Sequence, residues 1–365
     1  RVAALALALI AVSGTAHSQL GAPPMSGRQL FVAACASCHG HDGRGASRAQ
    51  VGFAEDIPDL TECVATTRET EKDWSAVVHG GGRVRGFSHR MPAFGSALTA
   101  EEILRVVKYL RSLCGERSWP RGELNLPRPM ATEKAFPEDE TVVTASAITK
   151  RGERVIGGAI AYERRIGIRN QWELEIPFGV QERPTDGGWS GGQLGDMVVA
   201  FKRVLLAREG SGTIISLMNE VALPTGDSRH GIGSGMTIFE SSIAAAQTLP
   251  FESFLQVQGG VELPANRRKG EHEGFASAVF GTTIAPGMGR AWTPMMELTA
   301  SRSIDRHEKP VLDLIPQMQV TLSRRQHIKA SIGMRLPVTE RTTRTRELLA
   351  YVIWDWFDGG LFDGW

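Results

Sequence analysis

From Thr141 onward, apolar side chains return at every second position, in segment after segment. A period of two puts those side chains on one face of an extended strand and the intervening residues on the other. Trp172, Leu174, Ile176, Phe178 and Val180 alternate with Glu173, Glu175, Pro177 and Gly179. Leu312, Leu314, Pro316, Met318 and Val320 alternate with Asp313, Gln317, Gln319 and Thr321, and Ile328, Ala330, Ile332 and Met334 with Lys329, Ser331, Gly333 and Arg335. Such segments recur at 143–149, 154–163, 170–181, 195–206, 211–223, 233–244, 250–263, 273–285, 291–302, 311–322, 326–338 and 346–357. That makes about twelve, and an even number of long amphipathic strands is what a closed outer-membrane barrel requires. A soluble sandwich would alternate too, with its apolar face turned inward. Strand length favours the membrane, as does the glycine on the polar faces, which suits a narrow lumen; glycine is 41 of 365 residues, with the excess mostly in this half. Tyrosines number only three, so Trp172, Trp292, Trp354 and Trp356 are the candidates for an interfacial girdle.

Ahead of this region the organisation changes. In Cys35-Ala36-Ser37-Cys38-His39, two thiols stand three positions apart with a histidine directly after them. This is the arrangement for covalent haem attachment, each sulfur taking a vinyl group and the histidine the iron. A zinc site needs about four ligands, usually from a second spaced pair, and the remaining cysteines, Cys63 and Cys114, stand alone. A thioredoxin-like pair would want a strand-helix-strand surround, which the pattern lacks. Ser26 is placed to cap a helix running through Leu30, Phe31 and Ala34 into the motif, and Gly40, Gly43 and Gly45 break it. Thr99-Ala100-Glu101-Glu102 opens a later helix with Ile103, Val106, Val107, Leu110 and Leu113 at helical spacing.

The order of these pieces resembles a class I monohaem cytochrome c over Gly27 to Leu113. The resemblance implies that Pro58-Asp59-Leu60 is the loop whose backbone carbonyl receives the ring N–H of His39 and orients it. It also implies that Met91, in Met91-Pro92-Ala93-Phe94-Gly95, is the sixth ligand, with His41, His79 and His89 as rivals. The cofactor set is then one covalent haem c, its iron between His39 and Met91, with Cys35, Cys38 and Pro58 completing the binding residues. With both axial positions filled by protein, the iron offers no open site to a substrate. The expected class is an electron carrier and not an enzyme. In the second half, Gly192-Gln193-Leu194-Gly195-Asp196 and Leu223-Pro224-Thr225-Gly226-Asp227 resemble turns of outer-membrane proteins associated with meta-pathway phenol degradation and their transporter-like relatives. The whole order resembles fused outer-membrane cytochromes.

The expected fold class is multidomain: a small all-α cytochrome c domain followed by an all-β, about 12-stranded antiparallel barrel. Residues 1–18 read as an export signal lacking its first residues, with an apolar run too short to span a membrane. Residues 19–115 form the haem domain, 116–140 a Pro-rich linker and 141–365 the barrel. Pro120, Pro127, Pro129 and Pro137 keep the linker extended. It is either a disordered spacer or, through Trp119, Leu124, Leu126 and Phe136, a segment lying against a neighbour. In an oxidising compartment Cys63 and Cys114 are candidates for a bridge closing a loop of about fifty residues, the alternative being two unpaired thiols.

A formal charge of +1 gives no reason to expect a nucleic-acid partner. Gly188-Trp189-Ser190-Gly191-Gly192 fits a nucleophile-elbow pattern, but the strand-turn-helix context is missing and a glycine-rich turn is the better reading. An even strand count brings both ends of a barrel to one side, so the haem domain and Trp365 are expected in the periplasm. The implied partners are periplasmic redox proteins and outer-membrane lipid. A competing reading is a channel for small hydrophobic or aromatic solutes, with the haem domain as a redox plug or docking arm.

Overall fold

The structure is a computed structural model describing residues 23–150, 153–182, 188–189, 192–228, 233–285, 289–306 and 308–365. The proposed export signal at 1–18 and part of the glycine-rich turn, 190–191, lie outside the described residues.

The N-terminal domain is helical. Helix α1 (Gly27–Ala34) starts at a capping box in which Ser26 and Gln29 satisfy each other's backbone N–H. It leads into the short helix α2 (Ala36–His39), followed by α3 (Arg48–Val51), α4 (Cys63–Thr66), α5 (Glu71–Gly80) and α6 (Ala100–Ser112). Thr99 and Glu102 form a second capping box at the start of α6, whose Ile103, Val106, Val107 and Leu110 are buried. Helices α1 and α6 cross at Gly27, where a Cβ would come within 2.1 Å of the Arg105 carbonyl oxygen. Only glycine permits that approach. Cys63 and Cys114 are bridged and tie the start of α4 to the end of α6 across 51 residues of sequence, a closure that contributes about 3–4 kcal/mol.

Twelve antiparallel strands follow among the described residues: β1 (Thr141–Lys150), β2 (Glu153–Ile166), β3 (Asn170–Gln181), β4 (Val198–Arg208), β5 (Thr213–Ala222), β6 (Ile238–Leu249), β7 (Ser253–Pro264), β8 (Glu273–Thr282), β9 (Trp292–Ser303), β10 (Val311–Thr321), β11 (Ile328–Pro337) and β12 (Glu347–Trp354). Each pairs with the next, and β1 pairs with β12 in the register Thr141↔Trp354 and Val142↔Ile353. The sheet is therefore closed and has no free edge. A two-residue strand, Gln193–Leu194, adds to the far end of β3.

Alternation follows the sequence pattern. Ile160, Leu298, Ile332 and Val352 face outward and are exposed, whereas Glu297, Gln317 and Ser331 face the lumen and are buried. The end of β3 at Gln181, the start of β4 at Val198, the end of β5 at Ala222 and the start of β6 at Ile238 lie on one rim. The tight turns 167–169, 209–212 and 250–252 lie on the other, together with the start of β1 and the end of β12. Trp172, Trp292 and Trp354 stand at strand ends on this tight-turn rim, where Trp356 stacks on Tyr162 at 5.6 Å between ring centroids.

The stretch 116–140 is not a free spacer. After a 3-10 turn at Gly122–Leu124 it enters the lumen from the tight-turn rim, and it leaves by the same rim to start β1. Leu124, Ala135 and Phe136 are buried with Val204, Ile214, Met218 and Ala244 of the wall. This arrangement decides between the two readings of the linker in favour of the packed one.

The haem domain sits against the same rim. Lys72 reaches Glu252 of the β6–β7 turn at 3.4 Å, Arg325 donates to the Gly86 carbonyl at 2.7 Å, and Arg68 pairs with Asp139. Gly86 packs so closely on Gly364 that a Cβ would lie 2.4 Å from its Cα.

Candidate functional site

The residues expected to attach a haem lie where α1 passes into α2. Cys35 is buried among Leu30, Phe31, Leu60, Val106 and Leu110, and Cys38 is half-buried; neither thiol is in a disulfide. Burial, with the Cys38 charge beside it, pushes the Cys35 thiol up to about 11. His39 is held neutral by burial, the form in which imidazole binds iron. Met91 is half-buried against Val78, Ile103 and Val107, while the rivals His41, His79 and His89 are exposed.

Helix α6 joins the two halves of the site, Val106 and Leu110 packing on the cysteine side and Ile103 and Val107 on the Met91 side. Trp74 and Leu98 pack on both clusters. Two buried polar atoms here, His39 Nδ1 and Trp74 Nε1, have no hydrogen-bond partner. The bond expected from His39 to a carbonyl of the Pro58 loop is thus not made. The Ile57 carbonyl oxygen lies 2.6 Å from where a Gly45 Cβ would sit, and Pro58 itself is exposed. The donor set of two free thiols, a neutral imidazole with an unpaired buried nitrogen, and a thioether fits a haem c.

The second functional assembly is one that sequence reasoning missed, namely the residues that lock the lumen segment. Its backbone is satisfied by lumen-facing side chains of distant strands. Met130 and Thr132 donate to Glu297 at 3.1 and 2.6 Å, Glu133 to Gln258 at 2.9 Å, and Glu138 to Gln171 at 2.6 Å. Gln256 donates to the Pro127 carbonyl at 2.8 Å. Arg128 binds Glu163 at 2.6 Å and Glu140 at 3.1 Å, Lys134 pairs with Glu138, and Lys329 binds Asp355 at 2.6 Å. Gly333 leaves room for Met130, whose Cγ lies 3.4 Å from where a Cβ would be. Between this plug and α5 a cavity of about 680 Å³ remains, bordered by Asp73, Lys134, Arg325 and Lys329 and by Leu126, Phe254 and Phe357.

Alongside the plug, the wall is acidic. One hydrogen-bonded row across neighbouring strands reads Glu163, Glu173, Ala200, Glu220, Glu240, Glu262 and Glu273. Like charges directly opposite one another destabilise a sheet, and a lumen lined this way is a poor host for an apolar solute.

Fold and site together define a cytochrome c domain joined to an outer-membrane-type barrel. The family described as cytochrome c oxidase, cbb3-type, subunit III matches residues 22–110, less than half of the chain. Among solved structures, an outer membrane channel from Pseudomonas putida F1 is similar at 12% identity and a TM-score of 0.43, covering 63% of this chain and 99% of the channel. The KdgM porin is similar at 7% identity and a TM-score of 0.41, covering 59% and 98%. LpxR from Salmonella typhimurium is similar at 8% and 0.37, covering 59% and 99%. No curated protein matches the chain. At such values the barrel assignment rests on the closure of the sheet itself.

Proposed function

We propose that this protein is a single-haem electron carrier of the periplasm, held at the outer membrane by a barrel that its own chain has plugged. Cys35 and Cys38 would hold the haem, His39 and Met91 would bind its iron, and the group would supply a one-electron couple. Met91 is carried to the site by the loop before α6, and burial lowers the His39 pKa, which favours the neutral imidazole that binds a metal. The orientation is supported by the tight turns, which in outer-membrane barrels face the periplasm and here share a rim with the haem domain. Its partners are then soluble periplasmic redox proteins. One haem on one rim does not carry electrons across a hydrocarbon layer of roughly 25 Å.

The observation that carries the anchor reading over a solute channel is the plug, fixed to Glu297 and to the Arg128 network in mid-lumen. The carboxylate row argues in the same direction. In the oxidised spectrum, Met91→Ala should remove the weak sulfur-to-iron charge-transfer band while the haem stays covalently bound, and Cys35→Ala with Cys38→Ala should abolish haem staining. A band that survives Met91→Ala sinks the ligand assignment. Protease added to intact cells should leave the haem domain uncut; cleavage there would reverse the orientation.

A further inference from the structure

One sector of the tight-turn rim carries cations that the electron-transfer reading does not use. A cavity of about 370 Å³ lies between the end of α6, the segment 117–121 and the β4–β5 turn, lined among others by Lys108, Arg111, Arg117, Trp119, Arg121 and Glu209. Arg111 is occupied by a two-pronged bond to Glu123. Arg121 is not: its Nη1 is buried with no hydrogen-bond partner, and its Nε stands 4.0 Å from Glu209. Lys108 and Arg117 are exposed and make no ion pair with any described residue. Burial and the neighbouring Arg111 pull the Arg121 pKa down, against Glu209, Glu123 and Glu71.

The outer wall of the barrel near this rim is positively charged as well. Arg164 and Arg203 are exposed on the outward faces of β2 and β4, with Trp172 of β3 paired to Arg164 and Asn170 to Arg203. Arg169 lies in the β2–β3 turn, close enough to Glu116 to affect its ionisation. Trp172, Tyr162 and Trp356 form an aromatic group in the same sector. Amphipathic rings of this kind mark the level of lipid headgroups. Exposed cations at that level meet lipid phosphates.

We propose that this sector is a binding site for the phosphate of an anionic phospholipid. Arg121 and Lys108 take the phosphate oxygens in the cavity, Arg117 closes over them, and Arg164 and Arg203 hold a second anionic group along the wall. The proposal rests on the membrane location of the barrel but not on the haem chemistry. Its effect would be to fix the angle at which the haem domain stands on the membrane, since the site joins α6 to the barrel wall.

The test uses haem-loaded, full-length protein in a non-ionic detergent, with native mass spectrometry against phosphatidylglycerol, phosphatidylcholine and inorganic phosphate in separate arms. Phosphatidylglycerol should remain bound at concentrations where phosphatidylcholine does not. Arg121→Ala combined with Arg117→Ala should lower its retention about tenfold, and Arg267→Ala on the opposite rim should leave it unchanged. An unchanged haem spectrum in every variant separates failure of this site from failure of the electron-carrier reading. Equal retention in the double variant and the parent overturns the proposal. So does inorganic phosphate displacing the lipid at comparable concentration, which would mark a free-anion site.

Discussion

The two halves of the molecule read the same hydrophobic alphabet in opposite senses. In the haem domain Phe31, Val106 and Val107 are fully buried, while Arg28, Glu101 and Lys108 are exposed. In the barrel Leu298, Ile332 and Val352 face outward while Glu297, Lys202 and Gln171 are almost completely buried. Each apolar side chain in the first case gains about 1.5–3 kcal/mol by leaving water. In the second the same gain comes from lipid, and the interior is held by paired charges and hydrogen bonds. Burial alone therefore says little about what stabilises a residue here; the identity of the surrounding medium decides it.

That contrast can be broken most sharply at the plug. Arg128→Ala leaves Glu163 and Glu140 buried without their cation, a loss of about 3–5 kcal/mol. The parent barrel is expected to be silent in a planar bilayer and the variant to show openings. A variant as silent as the parent would mean that the apolar contacts of Leu124 and Phe136 hold the plug alone. Next in size is a charge on the lipid face: Ile332→Arg should cost about 2–4 kcal/mol in barrel unfolding. It should leave the haem domain's own transition untouched. If it costs nothing, the outward face does not meet hydrocarbon.

The smallest effect concerns the contact between the halves. Burial raises Asp358 to about 7, and Glu69 is pushed up by burial and by Asp358, Asp73 and Asp355, against Lys329. Arg325 opposes the shift at Asp358. Because both carboxyls bind protons more tightly when docked, docking is strongest near their unperturbed pKa of about 4 and weakens as pH rises through about 7. Protection of α5 amides, taken relative to the intrinsic exchange rate at each pH, should therefore fall between about pH 5 and pH 8, and Glu69→Gln should flatten the change. Protection that rises over that range would contradict the sign.

Much of this architecture was readable beforehand. The twelve strands fall at the segments marked by alternation, because one face had to be uniformly apolar. The Cys63–Cys114 bridge followed from the pairing logic of leftover cysteines. The plug was not readable in the same way. Residues 116–140 have no period, and Arg128, Lys134, Glu138 and Glu140 look like solvated charges until Glu163, Glu297 and Gln171 are known to surround them. Those partners lie in other strands, and nothing local encodes the match.

Both ends of the plug leave the barrel by one rim, so the segment is a loop laid into the lumen and not a thread drawn through it. Assembly therefore imposes no order of events. The helical domain can mature on its own, the wall can close around an empty interior, and the loop can drop in last, because no chain end has ever to pass through the ring.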